Sequence, residues 1–284
     1  MPATERVLLL TPRFPVAGSA DRSGLTAYAR NAAAGLREAG ATVEILAFAE
    51  PDRSLARRTE VDGVVVHRAH LGWVRFASRI APNLVTGHRL LGEVRRTMAG
   101  RPFLAVEVPN FEGIGWAIAR AVPNGWLRMH TPHWEGFATG APPSQHHDRF
   151  VRRLDRYTAR RMAHLITHSE AHAAAMRREC QLEDRLIHVV PHGVPDPGLR
   201  AEGAVAPGRI LAIGPLHPRK GTDLLLKAFG RVAHLNQRAT LVLVGRIDDA
   251  RVAEQLDRLR HASPAMAARI ETPGQLPEAD LEAE

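Results

Sequence analysis

Short apolar runs of strand character alternate with helix-compatible segments along almost the whole of this chain, and that alternation restricts the fold more than any other feature. Arg6–Leu10 leads to a helical stretch at Leu25–Ala39, with Ser23 as N-cap and Gly40 as the stop, and then to a strand at Thr42–Phe48. Further strands are predicted at Val64–His67, Phe103–Val108, Trp126–His130, Leu165–His168 and Leu186–Val190. Helix-compatible segments lie between them at about 70–100, 113–121, 146–163 and 170–178. Such β-α-β order implies a parallel sheet with helices on both faces. At Pro191 the texture changes: PHGVPDPGLRAEGAVAPG holds four prolines and four glycines, the composition of a linker. A second series then begins, with Arg209–Ile213, Thr222–Val232, Thr240–Val244, Ala250–Arg260 and Arg269–Glu271. Two α/β domains are therefore predicted, 1–198 and 199–284, joined near 195–207. The second series has five elements and runs into LPEADLEAE, which reads as the beginning of a helix.

A chain of 284 residues, 45% of them hydrophobic, can bury a substantial core. Its net charge of +8 is almost all arginine and favours acidic ligands, while aromatic content of 5% leaves little to stack nucleic-acid bases on. Cys180 is the only cysteine, so neither an intrachain disulfide nor a thiolate zinc cluster can be built, which fits a reducing cytoplasm. The apolar run before Pro12 is too short for a signal-peptide core, and no window approaches the roughly 20 apolar residues of a membrane span. Membrane contact is therefore read as peripheral.

Chemistry concentrates in four places. In ILAIGPLHPRKG, residues 210–221, a strand and a turn bring Lys220, one of only two lysines, to the start of a helix, where unpaired amides favour a phosphate. Gly214 and Gly221 serve the turn and also permit close approach of phosphate oxygens. The order of Lys220 before Gly221 differs from a P-loop, and no G-x-G-x-x-G follows any predicted strand. The loop PRFPVAGSADRSGLT delivers Ser23 and Gly24 to a second helix N-terminus, either an anion cradle or an ordinary cap. His130 ends a strand in WLRMHTPHWEGF, where α/β sheets gather their ligands. His133, His146 and His147 follow it without the helical spacing of a metal site, so no metal is expected. Glu107 and Asn110 end another strand and read as acceptor contacts or plain loop polar groups. Finally, Arg149, Arg152, Arg153, Arg156 and Arg160 line one helical side of residues 148–161, a solvated face or a docking stripe for anionic lipid.

Taken together these pieces resemble the glycosyltransferase family 4 enzymes of GT-B architecture, in which two Rossmann-like domains face each other across a cleft. ILAIGPLHPRKGTDLLLKAF is similar to the family's G-R-L-x-x-x-K-G segment, and THSEAHAAAM…IHVVPHGV to its V-S-E…V-I-P-N-G-V run. The loop ending at Ser23–Gly24 and the strand end MHTPHWEG are similar to the family's glycine loop and histidine-bearing strand. The resemblance implies an acceptor-side first domain and a second domain for the nucleotide sugar, with sugar transfer from a nucleotide-diphosphate donor, with retention of configuration and without metal or other cofactor. Lys220 would neutralise the leaving diphosphate, Ser23, Gly24 and Gly214 would cradle it, and His130 would contact the transferred sugar. The turn Gly274, Gln275, Leu276 would lie near the base, and Glu107, Asn110 and His133 on the side of a glycan, lipid-linked or small-molecule acceptor. The chain departs from the family at Pro215, where an arginine is expected, and the family's E-x7-E segment would fall beyond Glu284. Two such contacts are worth roughly 10²–10⁴ in binding, so the 284 residues read as a truncated enzyme with weakened activity. The competing classes are a non-catalytic nucleotide- or glycan-binding module of the same fold, a nucleotide-sugar epimerase, for which no acid/base carboxylate pair is evident, and a nucleic-acid binder, for which no module is evident.

Overall fold

A computed structural model of the protein describes residues 5–16, 24–50, 52–71, 82–130, 145–196, 198 and 206–276. The chain divides into two compact units, the first ending at Pro195 and the second beginning at Asp196.

Unit 1 is built on one eight-stranded sheet, in the order β3-β4-β2-β1-β5-β6-β7-β8. Its strands are β1 (Arg6–Thr11), β2 (Thr42–Ala47), β3 (Arg58–Val61), β4 (Val64–Arg68), β5 (Ala105–Pro109), β6 (Gly125–Met129), β7 (His164–Thr167) and β8 (Ile187–Val189). The helices are α1 (Gly24–Glu38), α2 (Pro82–Met98), α3 (Trp116–Ala121), α4 (Gln145–Arg161) and α5 (Glu170–Cys180). Every neighbouring pair is parallel except β3 and β4. That hairpin is absent from the sequence reading, yet its turn is Asp62-Gly63, both at positive φ (52° and 71°), the two-residue turn whose twist matches antiparallel strands. Alternate residues of β1 serve opposite faces. Leu8 and Leu10 join the core under Leu90, Val94 and Ile118, while Val7 and Leu9 pack with Ala29 and Ala33 of α1. Strand order reverses at β1, with β2 on one side and β5 on the other, which opens a crevice beyond their C-terminal ends.

One buried carboxyl of unit 1 stands without a cation among the described residues. Asp155 of α4 is 3% exposed and neither carboxyl oxygen has a hydrogen-bond partner among the described residues. It faces the turn at Glu112 and Gly113, both at positive φ, where Leu154 already fills the space a Gly113 side chain would need. Burial, opposed by the nearby Gly113 amide and reinforced by Glu112, pushes the carboxyl up to about 8.

Unit 2 holds a three-stranded parallel sheet, β11-β10-β9, made of β9 (Arg209–Ile213), β10 (Thr240–Val244) and β11 (Ile270–Gly274). A 3₁₀ turn at Pro218–Lys220 precedes α6 (Thr222–Leu235), and α7 (Ala250–Ala262) and the short α8 (Pro264–Ala267) follow β10. Leu226, Phe229, Val252 and Leu256 from the helices meet Leu241 and Leu243 of the central strand. No helix among the described residues is long and apolar enough to cross a membrane.

Candidate active site

In unit 1 the polar side chains converge at the C-terminal ends of β5, β6 and β7, beside the crevice. Tyr28, one turn into α1, donates its hydroxyl to Glu107 Oε1 at 2.6 Å. The other carboxylate oxygen of Glu107 pairs with Arg128 at 3.4 Å, and the Arg128 guanidinium lies 4.9 Å from the Tyr28 ring centre and donates to the Val190 carbonyl. Burial and the Glu107 carboxylate push the Tyr28 phenol up, so it stays a hydrogen-bond donor. Glu107, expected as an acceptor contact, thus has both oxygens engaged by the scaffold. Its work is to pin α1 to the sheet, and Asn31 adds a bond to the Gly193 carbonyl at 3.0 Å.

His130 is held through its backbone, whose N–H donates to Asn110 Oδ1 at 2.8 Å. Asn110 is 7% exposed and its Nδ2 finds no partner among the described residues, which keeps a donor available at this rim. Burial, with His192 and Arg128 beside it, pushes the His130 imidazole down to about 3, so it acts as a neutral ring. His168, His172 and His192 surround it, three histidines the sequence reading did not assign to any site. Ser23 and His133 lie outside the described residues. Gly24 begins α1, with open space where a side chain would project.

In unit 2 the C-terminal edge of the sheet is stripped to glycine. Gly214 follows β9, Gly245 follows β10 and Gly274 ends β11, with φ of 124°, 144° and 80°. Gly214 N–H donates to Val244 and Gly245 N–H to Gly274, so the three backbones are laced together. Gly245 escaped the sequence reading; the strand-glycine pattern of LVLVG matches that of LAIG and was its available signal. The exposed Lys220 ends the 3₁₀ turn, and Gly221, left-handed at φ 74°, starts α6 with no side-chain cap. The first amides of α6 therefore carry no partner from the capping residue. Gln275 is exposed and Leu276 half-buried just after β11. His217, two residues after Pro215, is buried within the turn. No described group of three or more histidine, cysteine or acidic side chains is arranged to hold a metal ion.

Residues 23–193, more than half of the chain, match the glycosyl transferase 4-like domain. The chain belongs to this glycosyltransferase family. The glycosyltransferase also has the GT-B fold of solved structures at low identity. Sucrose-phosphate synthase from Thermosynechococcus elongatus aligns with a TM-score of 0.70 at 18% identity, over 98% of this chain and 72% of that one. The catalytic domain of starch synthase IV from Arabidopsis thaliana, bound to ADP and acarbose, gives 0.65 at 12%, over 99% and 76%. HepE from Anabaena, in complex with UDP and glucose, gives 0.56 at 17%, over 98% and 71%. No curated protein sequence matches the glycosyltransferase significantly.

The arginine stripe of α4 has a structural employment that amends its reading as a docking face. Arg152 and Arg156 pair with Glu179, Arg156 also donates to the Glu179 carbonyl, and Arg160 donates to the Cys180 carbonyl and to Gln181. These are the last carbonyls of α5, where positive charge satisfies free acceptors and the helix dipole together. Arg149 and Arg153 remain exposed.

Proposed function

We propose that this glycosyltransferase transfers a sugar from a nucleotide-diphosphate donor to an acceptor with retention of anomeric configuration. One observation carries the donor side: the exposed Lys220 stands at the uncapped start of α6, on a unit whose strand ends are all glycine. Expelling a diphosphate needs positive potential where negative charge develops, and an ammonium with fixed amides supplies it without a metal. In this reading Lys220 neutralises the leaving group and the bare backbone at Gly214 lets its oxygens approach. The turn Gly274, Gln275, Leu276 lies near the base. In unit 1, the α1 start at Gly24 is a further anion cradle, His130 contacts sugar and Asn110 faces the acceptor. ADP on the plant starch synthase and UDP on HepE support a nucleotide diphosphate as the shared chemistry.

The test is turnover of UDP-, ADP- and GDP-sugars with candidate acceptors in the presence of a chelator, followed by proton NMR of the anomeric signal. The expected result is release of the diphosphate and an α-linked product from an α-linked donor. A β-linked product contradicts retention. Diphosphate binding with no turnover of any donor contradicts transfer and favours a binding module of the same fold.

A further inference from the structure

The rim of unit 1 carries more imidazole than contact with one sugar hydroxyl requires. His192 stacks on His130 at 5.4 Å and on His168 at 5.2 Å, and His168 stacks on His172 at 4.5 Å, with interplanar angles of 11°, 26° and 28°. Tyr28 meets both His130 and His192 edge-on. Tyr28 lies on α1, His130 just after β6, His168 just after β7, His172 in the first turn of α5 and His192 after β8, so the cluster is built by the topology of the unit. Face-to-face rings do not converge on a point as metal ligands must, and no described trio is arranged to hold a cation.

The unspent hydrogen-bonding capacity here is mostly that of donors. Asn110 Nδ2 and Arg128 Nε, on residues 7% and 5% exposed, are buried with no partner among the described residues. His168 Nδ1, which can carry a proton, and His172 Nε2 are likewise without a partner among the described residues. The Thr167 hydroxyl donates to the Met129 carbonyl at 3.2 Å and accepts from His172 Nδ1 at 2.5 Å, so Nε2 of that neutral ring is an acceptor. Buried donors left unmatched are costly, and a ligand rich in acceptor oxygens would recover that cost. Among the described residues, the charged and titratable groups facing the cluster are Arg128 and Glu107, paired with each other, the Tyr28 phenol, and the four imidazoles themselves. Burial holds His130 down to about 3 and His172 down to about 4, and burial with His168 and Arg128 beside it lowers His192. His130, His172 and His192 are thus biased toward the neutral ring, and the charge that stabilises a proton on the cluster must arrive with the ligand.

We propose that the His130–His168–His172–His192 cluster binds a phosphomonoester carried by the acceptor. The exposed His192 takes up a proton as the dianion arrives, while Asn110 and His168 donate neutral hydrogen bonds. This deepens the acceptor side of the proposed transfer and rests on that reading only for the word acceptor.

Titration calorimetry of the whole chain at pH 7.5, in buffers of different ionisation heat, tests it with glucose 6-phosphate, inorganic phosphate and glucose as probes. Glucose 6-phosphate is expected to bind at least about tenfold more tightly than glucose, a difference of roughly 1.4 kcal/mol. Its heat should vary with buffer in the sense of proton uptake. His192→Asn keeps a donor but cannot titrate, and His168→Gln does the same. With circular dichroism unchanged, His192→Asn should lose the proton uptake and both should weaken sugar-phosphate binding. Equal affinity for glucose and glucose 6-phosphate, or proton uptake that survives His192→Asn, overturns the proposal. Inorganic phosphate binding as tightly as the sugar phosphate overturns the acceptor as its source. UDP titrated in parallel tests the donor reading separately, since its failure to bind leaves the phosphomonoester result standing.

Discussion

Gly245→Ala should unfold unit 2 at temperatures where the wild-type chain is intact. A Cβ at this position would lie 1.9 Å from the Gly214 carbonyl oxygen and 2.7 Å from its carbon, and φ of 144° is strained for any residue with a side chain. Neither backbone can step aside cheaply. Gly214 N–H bonds Val244 at 2.9 Å, Gly245 N–H bonds Gly274 at 2.8 Å, and Leu216 N–H bonds Arg246 at 2.8 Å, so the new methyl must part β9 from β10. Conformational strain of about 1–3 kcal/mol together with lost hydrogen bonds of about 1 kcal/mol each makes roughly 3 kcal/mol a lower bound. For a unit of this size that is a fall of more than about 12 °C in the melting of far-ultraviolet circular dichroism. Gly214→Ala separates the two causes: its φ of 124° is also strained, but nothing lies within 4 Å of a Cβ there, so it should fall by less. A Gly245→Ala chain that melts with the wild type would show that the β9–β10 contact is looser than described.

Asp155 should make unit 1 lose stability as pH rises through the range in which most proteins are indifferent. The folded carboxyl keeps its proton to about 8, whereas an unfolded aspartate releases it near 4. Between those values the native chain binds the extra proton, so the contribution is complete below the unfolded value and lost as pH climbs through about 8. Over the full window this is on the order of 5 kcal/mol. The lowered His130, His172 and His192 act in the opposite sense, because their unfolded forms protonate more readily, and they strengthen the fold as pH rises towards about 6.5. The two effects separate above pH 7, where the histidines are neutral in both states. Urea midpoints should fall from pH 7 to pH 9 in the wild type and fall much less in Asp155→Asn, where the buried Cys180 thiol, pushed up to about 12, leaves a smaller decline near pH 9, with the variant the more stable chain there. Parallel pH curves for the two proteins would contradict a buried, proton-bearing Asp155.

The strands were legible because their apolar runs are short, dense and bounded: Arg209–Ile213 and Thr240–Val244 are found where they are predicted, and Arg6–Leu10 lengthens only to Thr11. The β3–β4 hairpin was not read, although Asp62-Gly63 between Val61 and Val64 is a strong turn signal, because Arg58–Glu60 lacks an apolar run to pair with it. The donor-side residues could be named locally, since Lys220, Gly221 and the α6 start are consecutive. The imidazole cluster could not. His130, His168, His172 and His192 are as far as 62 positions apart, and only the parallel order β5-β6-β7-β8 brings their strand ends together. Glu107 showed the converse limit: its strand-end position is correct for a site, but Tyr28, 79 positions away, decides what its carboxylate does.

The claim that unit 2 holds a nucleotide diphosphate through Lys220 is tested most directly by calorimetry with UDP and GDP on wild type, Lys220→Ala and Lys227→Ala. Lys227, the only other lysine, lines a groove with Asp223, Arg251 and Glu254 along α6 and α7 and serves as the control. A charge-assisted hydrogen bond is worth about 1.5–3 kcal/mol, so Lys220→Ala should weaken diphosphate binding roughly 10- to 150-fold, with Lys227→Ala unchanged. Equal diphosphate affinity in wild type and Lys220→Ala would contradict the assignment.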